Sequence, residues 1–335
     1  MSQQSSNHEP NSLKPLQFGG LSIWPPIIQA PMAGYTGSVF REIQRENGCA
    51  YCYTEMVSAK GLIFGGDDSE EILFHTPGDR PLAVQLFGED PEFVAKAARK
   101  VLDPSYGGFE AIDLNMGCPA RKVTSPGSGG GLLKDLPRAI DMVRAVKEAS
   151  GVPVTVKTRL GWDRSQDPCE IASALAEAGA DMLVIHGRTV SQGFSGSADW
   201  DSIYRVAECV SIPVVGNGDI TSAEEAVSKA NSGRLAGVMV GRAILGNPFF
   251  FAQCLDLLRG QEKREYSTAE KMAVAIDHFR RAIERRGPRR GLLEMRKQLA
   301  FYLRGVKGAS KLRDRINHES NPEGVIRILE EAAQS

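Results

Sequence analysis

The chain has 335 residues, 42% hydrophobic and 24% charged, with a formal net charge of −1. That is an ordinary globular composition, long enough to bury a core without disulfide staples. No apolar run approaches the roughly 18 residues of a membrane-spanning helix, and six cysteines scattered over the chain do not make a disulfide framework.

Residues 1–19, rich in Ser, Gln and Asn and lacking the apolar centre of a signal peptide, read as a disordered lead-in. The expected compartment is therefore the reducing cytoplasm. From there short β-rich runs alternate with helical patterns. The runs are Pro26–Pro31, Tyr51–Glu55, Leu82–Leu86, Ala111–Leu114, Val154–Lys157, Met182–His186, Pro213–Gly216 and Gly237–Val240. Eight βα units predict an α/β fold, a (β/α)8 TIM barrel over residues 20–258, with its site at the C-terminal ends of the strands. A doubly wound sheet is the alternative. It is disfavoured because no GxGxxG follows the first strand and polar or Gly residues cap nearly every strand.

Cys49 and Cys52 have the CxxC spacing of a redox or zinc site, but no second pair completes four ligands and a strand follows at once. The pair reads as structural, and no metal is expected. Cys118 differs. Phe109–Asn115 reads as a buried strand, Gly117 and Pro119 then break it, and the thiol falls on a sharp turn at the strand's end. A lone cysteine is more often an inert core residue, yet this one precedes a Gly-rich stretch, Ser125–Leu132, whose composition permits movement over a ligand without deciding it. A helix capped by Asp135, with Pro137 in its first turn and Ile140, Val143 and Val146 on one face, returns the chain to the scaffold.

In a barrel, the residues just past the strands converge: Pro31, Met32, Ala33, Glu55, Gln85, Asn115, Lys157, Arg159, His186, Asn217, Gly218, Asp219, Gly241 and Arg242. The segments Gly216–Ile220 and Val240–Pro248 occupy the usual barrel phosphate position, so a phosphorylated cofactor fits. Lys157 is placed to stabilise the electron-rich edge of a reduced flavin, and the apolar strand leading into it argues against a plain surface lysine. His186 is either a satisfied core histidine or a cofactor contact. Gln85 and Asn115 carry amides suited to a flat heterocycle.

After Gly260 the rhythm changes. Ser267-Thr-Ala-Glu270 has the form of a capping box ahead of a stripe of Met272, Ile276, Phe279 and Ile283, a second helix carries Leu292, Met295, Leu299 and Tyr302, and Asn321-Pro322 starts a last one. Residues 265–335 thus form an all-helical domain. Residues 280–315 hold 13 basic side chains against 3 acidic, a patch suited to a polyanion, or else a solvated helix face.

The strings APMAGYT (30–36), TEMVSAKGL (54–62), QLFG (85–88), DLNMGCPARKV (113–123), VKTRLGW (156–162), IHGRT with SGSADW (185–200), GNGDI (216–220) and VGRAILGNP (240–248) resemble the tRNA-dihydrouridine synthases, in particular the bacterial B-type group. The resemblance spans about residues 20–330, keeps the family's motif order, and includes LEMRKQLAFYLRG (293–305) of its helical tRNA-binding domain. It implies an FMN enzyme that reduces a tRNA uridine to 5,6-dihydrouridine, with NADPH as reductant. By motif position Pro31, Met32, Ala33, Gln85, Lys157, Asn217, Gly218, Asp219, Gly241 and Arg242 would bind FMN, with His186 close by. Cys118 matches the proton donor, and Asn115, Lys157 and Arg159 fall where the family contacts the uracil. Arg286, Arg290, Arg296, Lys297 and Arg304 are the expected tRNA contacts of a monomer. Glycines fill 129–131 where relatives commonly carry an Ala, and Gln298 and Phe301 stand where relatives often have His and Trp.

The chemistry agrees with that implication. Uracil C5=C6 is conjugated to the C4 carbonyl, so hydride adds at C6 and C5 then needs a proton, which a neutral thiol can give. The base must leave its stack to be reached. The competing readings are an FMN barrel acting on a free pyrimidine or other small molecule, which has no use for the basic tail, and a non-catalytic RNA-binding protein, which has no use for Cys118.

Overall fold

The computed structural model describes residues 13–65 and 69–334. Two short strands, β1 (Leu16–Phe18) and β2 (Leu21–Ile23), pair antiparallel. The sheet that follows comprises β3 (Ile27–Gln29), β4 (Cys52–Ser58), β5 (Leu82–Phe87), β6 (Ala111–Met116), β7 (Val154–Arg159), β8 (Met182–His186), β9 (Val214–Asn217) and β10 (Gly237–Val240). All pair in parallel in the order β3-β10-β9-β8-β7-β6-β5-β4. The end strands meet: Gln29 N donates to Tyr51 O at 3.1 Å, and Gln29 Oε1 accepts the Tyr53 N–H at 3.2 Å. Every one of the eight expected runs is therefore a strand. They were visible because strands of a parallel sheet are buried on both faces and read as nearly continuous apolar runs, as in β6, β9 and β10, where each residue is buried.

Helices α1 (Ser38–Glu46), α2 (Ala59–Phe64), α3 (Ser69–Leu73), α4 (Pro91–Val101), α5 (Arg121–Thr124), α6 (Leu136–Ala149), α7 (Pro168–Glu177), α8 (Trp200–Cys209), α9 (Ala223–Ala230) and α10 (Phe250–Leu258) lie in the strand connections and after the last strand. Their apolar faces and the outer face of the sheet make one large core. A second cluster fills the barrel interior and includes Leu16, Phe18 and Ile23 of the opening hairpin.

That hairpin corrects the expected lead-in. Residues 1–12 lie outside the described residues, but Leu16–Phe18, placed within the 1–19 lead-in, is a strand. Leu16 and Phe18 are buried, and Phe18 meets Tyr51 edge to face at 5.7 Å between ring centroids. Burying two alternate apolar residues against the barrel outweighs a polar average taken over nineteen.

The chain ends in α11 (Thr268–Arg286), α12 (Pro288–Tyr302), α13 (Ala309–His318) and α14 (Pro322–Ala333), with their own apolar cluster. The expected capping box is present in full, Ser267 and Glu270 each taking the other's backbone N–H. This helical unit docks on the barrel through α1 and the loop before it. His278 packs against Phe40 at 6.0 Å, Phe301 against Tyr35 at 5.6 Å, and Gln298 Nε2 donates to Tyr35 O at 3.2 Å. Among the described residues no helix is long and apolar enough to cross a membrane.

The cysteines divide. Cys49 and Cys52 are buried, with Sγ atoms 3.6 Å apart, and burial pushes the Cys52 thiol well up, as a structural pair requires. Cys169 and Cys209 are joined by a disulfide linking α7 to α8, where the sequence leads one to expect free thiols.

Candidate active site

Strand β6 delivers Cys118 to the mouth. The Asn115 side chain folds over the strand's end, its Oδ1 accepting the N–H of Gly117 at 3.2 Å and of Cys118 at 3.0 Å, which fixes the turn. The Gly-rich stretch lies beneath that turn rather than over a ligand. Gly129, Gly130 and Gly131 are buried, and Gly130 N donates to Cys118 O at 3.1 Å. An added Cβ would come within 2.8 Å of Val123 Cγ1 at Gly129 and of Thr124 O at Gly131. These glycines serve close packing. Among the described free cysteines Cys118 alone is not buried.

A cavity of about 990 Å³ opens at the C-terminal ends of the strands, the upper end of the range for small-molecule sites. Pro31, Met32, Ala33, Gln85, Asn115, Cys118, Lys157, Arg159, His186, Asn217, Gly218, Asp219, Gly241 and Arg242 all line it, as does Arg304 from beyond α12. The barrel thus brings together every strand-end candidate except Glu55, which burial pushes up and whose Oε2 accepts the Gly34 N–H just behind the Pro31–Ala33 wall. The lining also holds Met56, Phe194, Lys271 and Phe301, which the strand-end pattern does not reach. Five cations, Lys157, Arg159, Arg242, Lys271 and Arg304, face one carboxylate, Asp219, and such a lining concentrates anions.

Lys157 Nζ donates to Asn217 Oδ1 at 3.1 Å, and Asn217 Nδ2 to Met239 O at 2.8 Å, so the ammonium is aimed across the mouth. Burial and the neighbouring Arg159 pull Lys157 down to about 8, against the opposing pull of Asp113 and Cys118. His186 is pulled to about 2 by burial and then by Lys157, Arg159, Arg188 and Arg242, so it is a neutral imidazole. Its Nδ1 is buried with no hydrogen-bond partner among the described residues.

Asp219, in the left-handed region at φ 52°, is a hub. Its carboxylate takes two bonds from Arg188, at 3.0 and 2.6 Å, one from Ala198 N at 2.8 Å and one from Arg242 Nη2 at 3.2 Å. Burial alone would raise it, but the Arg188 and Ala198 bonds and the two guanidinium charges hold it below the usual carboxylate range. It therefore aims Arg242 and offers a ligand little of its own. Arg159 is also committed, donating to Gly117 O, Thr189 O and Gly193 O at 2.9, 2.8 and 2.7 Å. These bonds tie the two loops after β6 and β8 to the end of β7, with the exposed Phe194 ring 5.5 Å from Arg159 and 5.6 Å from Arg242.

A phosphorylated flavin fits this lining. A Cβ on Gly241 would meet only Ala30 Cβ and Met32 Sδ, each at an ordinary 3.7 Å, so the room this glycine keeps belongs to the cavity. The excess of cations over carboxylates in the lining gives an anionic group partners there.

The tail cations divide. Arg286 bridges Glu71 at 2.9 Å and Glu294 at 2.8 Å, Arg290 joins Glu294 at 2.8 Å, and Arg296 donates to Glu319 O at 3.0 Å. Lys297 lies against Gly34 with its Nζ 5.3 Å over the Tyr35 ring. None of these four lines the cavity; Arg304, stacked 4.0 Å over Phe301, does. The charge run is in large part a set of bonds within the protein.

A family model described as dihydrouridine synthase matches residues 28–335. A probable tRNA-dihydrouridine synthase 1 of Synechocystis sp. is 40% identical over 92% of this chain and 88% of the relative. A tRNA-dihydrouridine synthase B of Pasteurella multocida is 36% identical over 94% and 95% respectively. Among solved structures, an old yellow enzyme homologue from Zymomonas mobilis shares the fold at a TM-score of 0.56 and 14% identity, covering 76% of this chain and 94% of that one. A 6-hydroxypseudooxynicotine amine oxidase from Pseudomonas geniculata does so at 0.58 and 16%, this chain spanning 53% of its length.

Proposed function

Because the chain belongs to the dihydrouridine synthase family, we propose that it reduces a uridine of tRNA to 5,6-dihydrouridine, with FMN in the barrel mouth and NADPH restoring the reduced cofactor. The observation that carries this reading is the convergence of Cys118, Asn115, Lys157 and His186 in one cation-rich cavity. Pro31, Met32, Ala33, Gln85, Asn217, Gly218 and Gly241 would hold the flavin, and Arg242, aimed by Asp219, its phosphate. When bound, that group supplies hydride to uracil C6.

The protein's own residues do the rest. Cys118 Sγ–H gives the proton to C5. Asn115 offers its remaining amide N–H to the base, and Lys157 places positive charge beside both base and cofactor. Neutral His186 can donate or accept one hydrogen bond without adding charge. The barrel mouth admits only a flipped base, and cations of the helical unit, Arg304 and Lys271 first among them, take the RNA backbone. The tRNA substrate puts the enzyme in the cytoplasm.

The test is reoxidation of the chemically reduced protein under anaerobic conditions. Unmodified tRNA should restore the yellow absorbance of oxidised flavin and free uridine should not. Equal response to both would favour the small-molecule reading, and a protein that carries no flavin would end the proposal.

A further inference from the structure

Asp113 is fully buried in β6 and takes no part in the chemistry above. Its Oδ1 accepts the Thr155 hydroxyl and its Oδ2 the Gln85 Nε2–H, both at 2.6 Å. With Nε2 committed, Gln85 turns Oε1 away, where it accepts from Asn115 Nδ2 at 2.9 Å. Asn115 must then turn its Oδ1 to the N–H groups of Gly117 and Cys118. The direction of the chain is fixed from both ends, since a carboxylate can only accept and a backbone N–H can only donate.

We propose that Asp113 is the positioning residue of this site: it orients the Gln85 and Asn115 amides in series and through them holds the turn that presents the Cys118 thiol. The inference deepens the reductase reading and rests on it only for the ligand. Each amide keeps one N–H, and that of Asn115 has for a neighbour Met56 Sδ at 3.7 Å, a weak acceptor. Both residues line the cavity, so its floor presents donors, matched to carbonyl oxygens on a flat ring such as a pyrimidinedione. The orientation persists through neutrality. Burial lifts the Asp113 carboxyl to about 7, against the Gln85 and Thr155 bonds and Lys157, and a proton taken up there sits on Oδ1, where the Thr155 hydroxyl can accept it. Oδ2 stays an acceptor for Gln85.

The experiment is amide hydrogen exchange of the segment 113–123 in the full-length, ligand-free protein. Gln85→Glu sets two carboxylates face to face at Asp113, and in a pH series carried above the point where they share a proton the Gly117 and Cys118 amides should exchange at least ~10-fold faster than in wild type at the same pH as the turn loosens. Adding Asp113→Asn gives the new carboxylate a donor, so the double variant should return exchange to within about twofold of wild type, a non-additivity that simple loss of packing does not produce. Asp113→Asn alone, which keeps an acceptor for Gln85 and a donor for Thr155, should leave exchange unchanged; it also serves if Gln85→Glu does not fold, because Asp113→Ala must then differ from it by the same factor. Unchanged exchange in Gln85→Glu, or equal exchange in the single and double variants, overturns the proposal. No flavin or RNA is present, so a failure of the reductase reading would leave this result standing, and the converse holds.

Discussion

The barrel mouth and the helical unit both carry many charged side chains, but they hold them differently. At the mouth, polar groups are few, buried and set by strand ends: Lys157 by Asn217, Arg159 by three carbonyls, Asp219 by Arg188. In the helical unit the cations sit near the surface in ion pairs, several with carboxylates of the barrel, such as Arg281 with Glu46 and Arg285 with Glu71. Charge at the mouth is therefore tuned by burial and aimed by fixed partners, with Lys157 and Arg242 facing the cavity, whereas much of the tail charge is already spent on docking.

The largest effect that would sharpen this contrast is expected from Cys118→Ala. Turnover on tRNA should fall by ~10²-fold or more while flavin content and NADPH oxidation stay as in wild type; stopped-flow measurement of the two half-reactions separates them, and equal losses in both would take the proton-donor role away. Lys157 comes next. Its ammonium is lost as pH rises through about 8, so flavin reduction should fall up to ~10-fold per pH unit above that value, and Lys157→Arg, which stays charged, should remove the fall.

A third effect lies at the seam. Burial pulls His278 down to about 3, with Arg281 adding to it, so in the folded protein it stays neutral where an unfolded chain would take up a proton. Its contribution to stability is complete above about pH 6.5 and is lost as pH falls below that, at up to ~1.4 kcal/mol per pH unit. The urea midpoint of His278→Gln should depend less on pH between 7 and 5 than that of wild type. The smallest effects divide the tail itself. Arg286→Ala should cost about 1 kcal/mol of stability without altering the salt dependence of tRNA binding, whereas neutralising Arg304 should lower that slope by ~0.7–0.9 and leave stability alone. If Arg286 moved the slope as much as Arg304, the distinction between docking and RNA-facing cations would fail.

The eight strands and the residues at their ends were legible because burial on both faces leaves an apolar run and the first polar residue after it marks the mouth. Partners were not legible. Gln85 and Asn115 look like ligand-reading amides, yet their acceptor and donor, Asp113 and the Cys118 turn, are selected by sheet register and not by spacing. A count of 13 cations against 3 anions over 280–315 omits Glu46 and Glu71, which sit far away in the chain and next door in space. Composition likewise does not decide whether three successive glycines serve freedom or tight contact, and here all three are buried. The Cys169–Cys209 bond, across a separation of 40 residues, left no local signal either.

The hydrogen bond from Gln298 to Tyr35 spans 263 positions of sequence, and that span has a temporal meaning. During synthesis the loop carrying Pro31–Ala33 leaves the ribosome early, and at ~5–20 residues per second the helix that braces it follows roughly 13–50 s later. Throughout that interval the nascent barrel lacks Gln298, Lys297, Lys271 and Arg304, hence both the support of its first loop and the outer wall of its cavity. The outer side of the cavity is thus the last part of the site to be made, and a polypeptide stalled before α12 would be born with the thiol in place and the pocket still open.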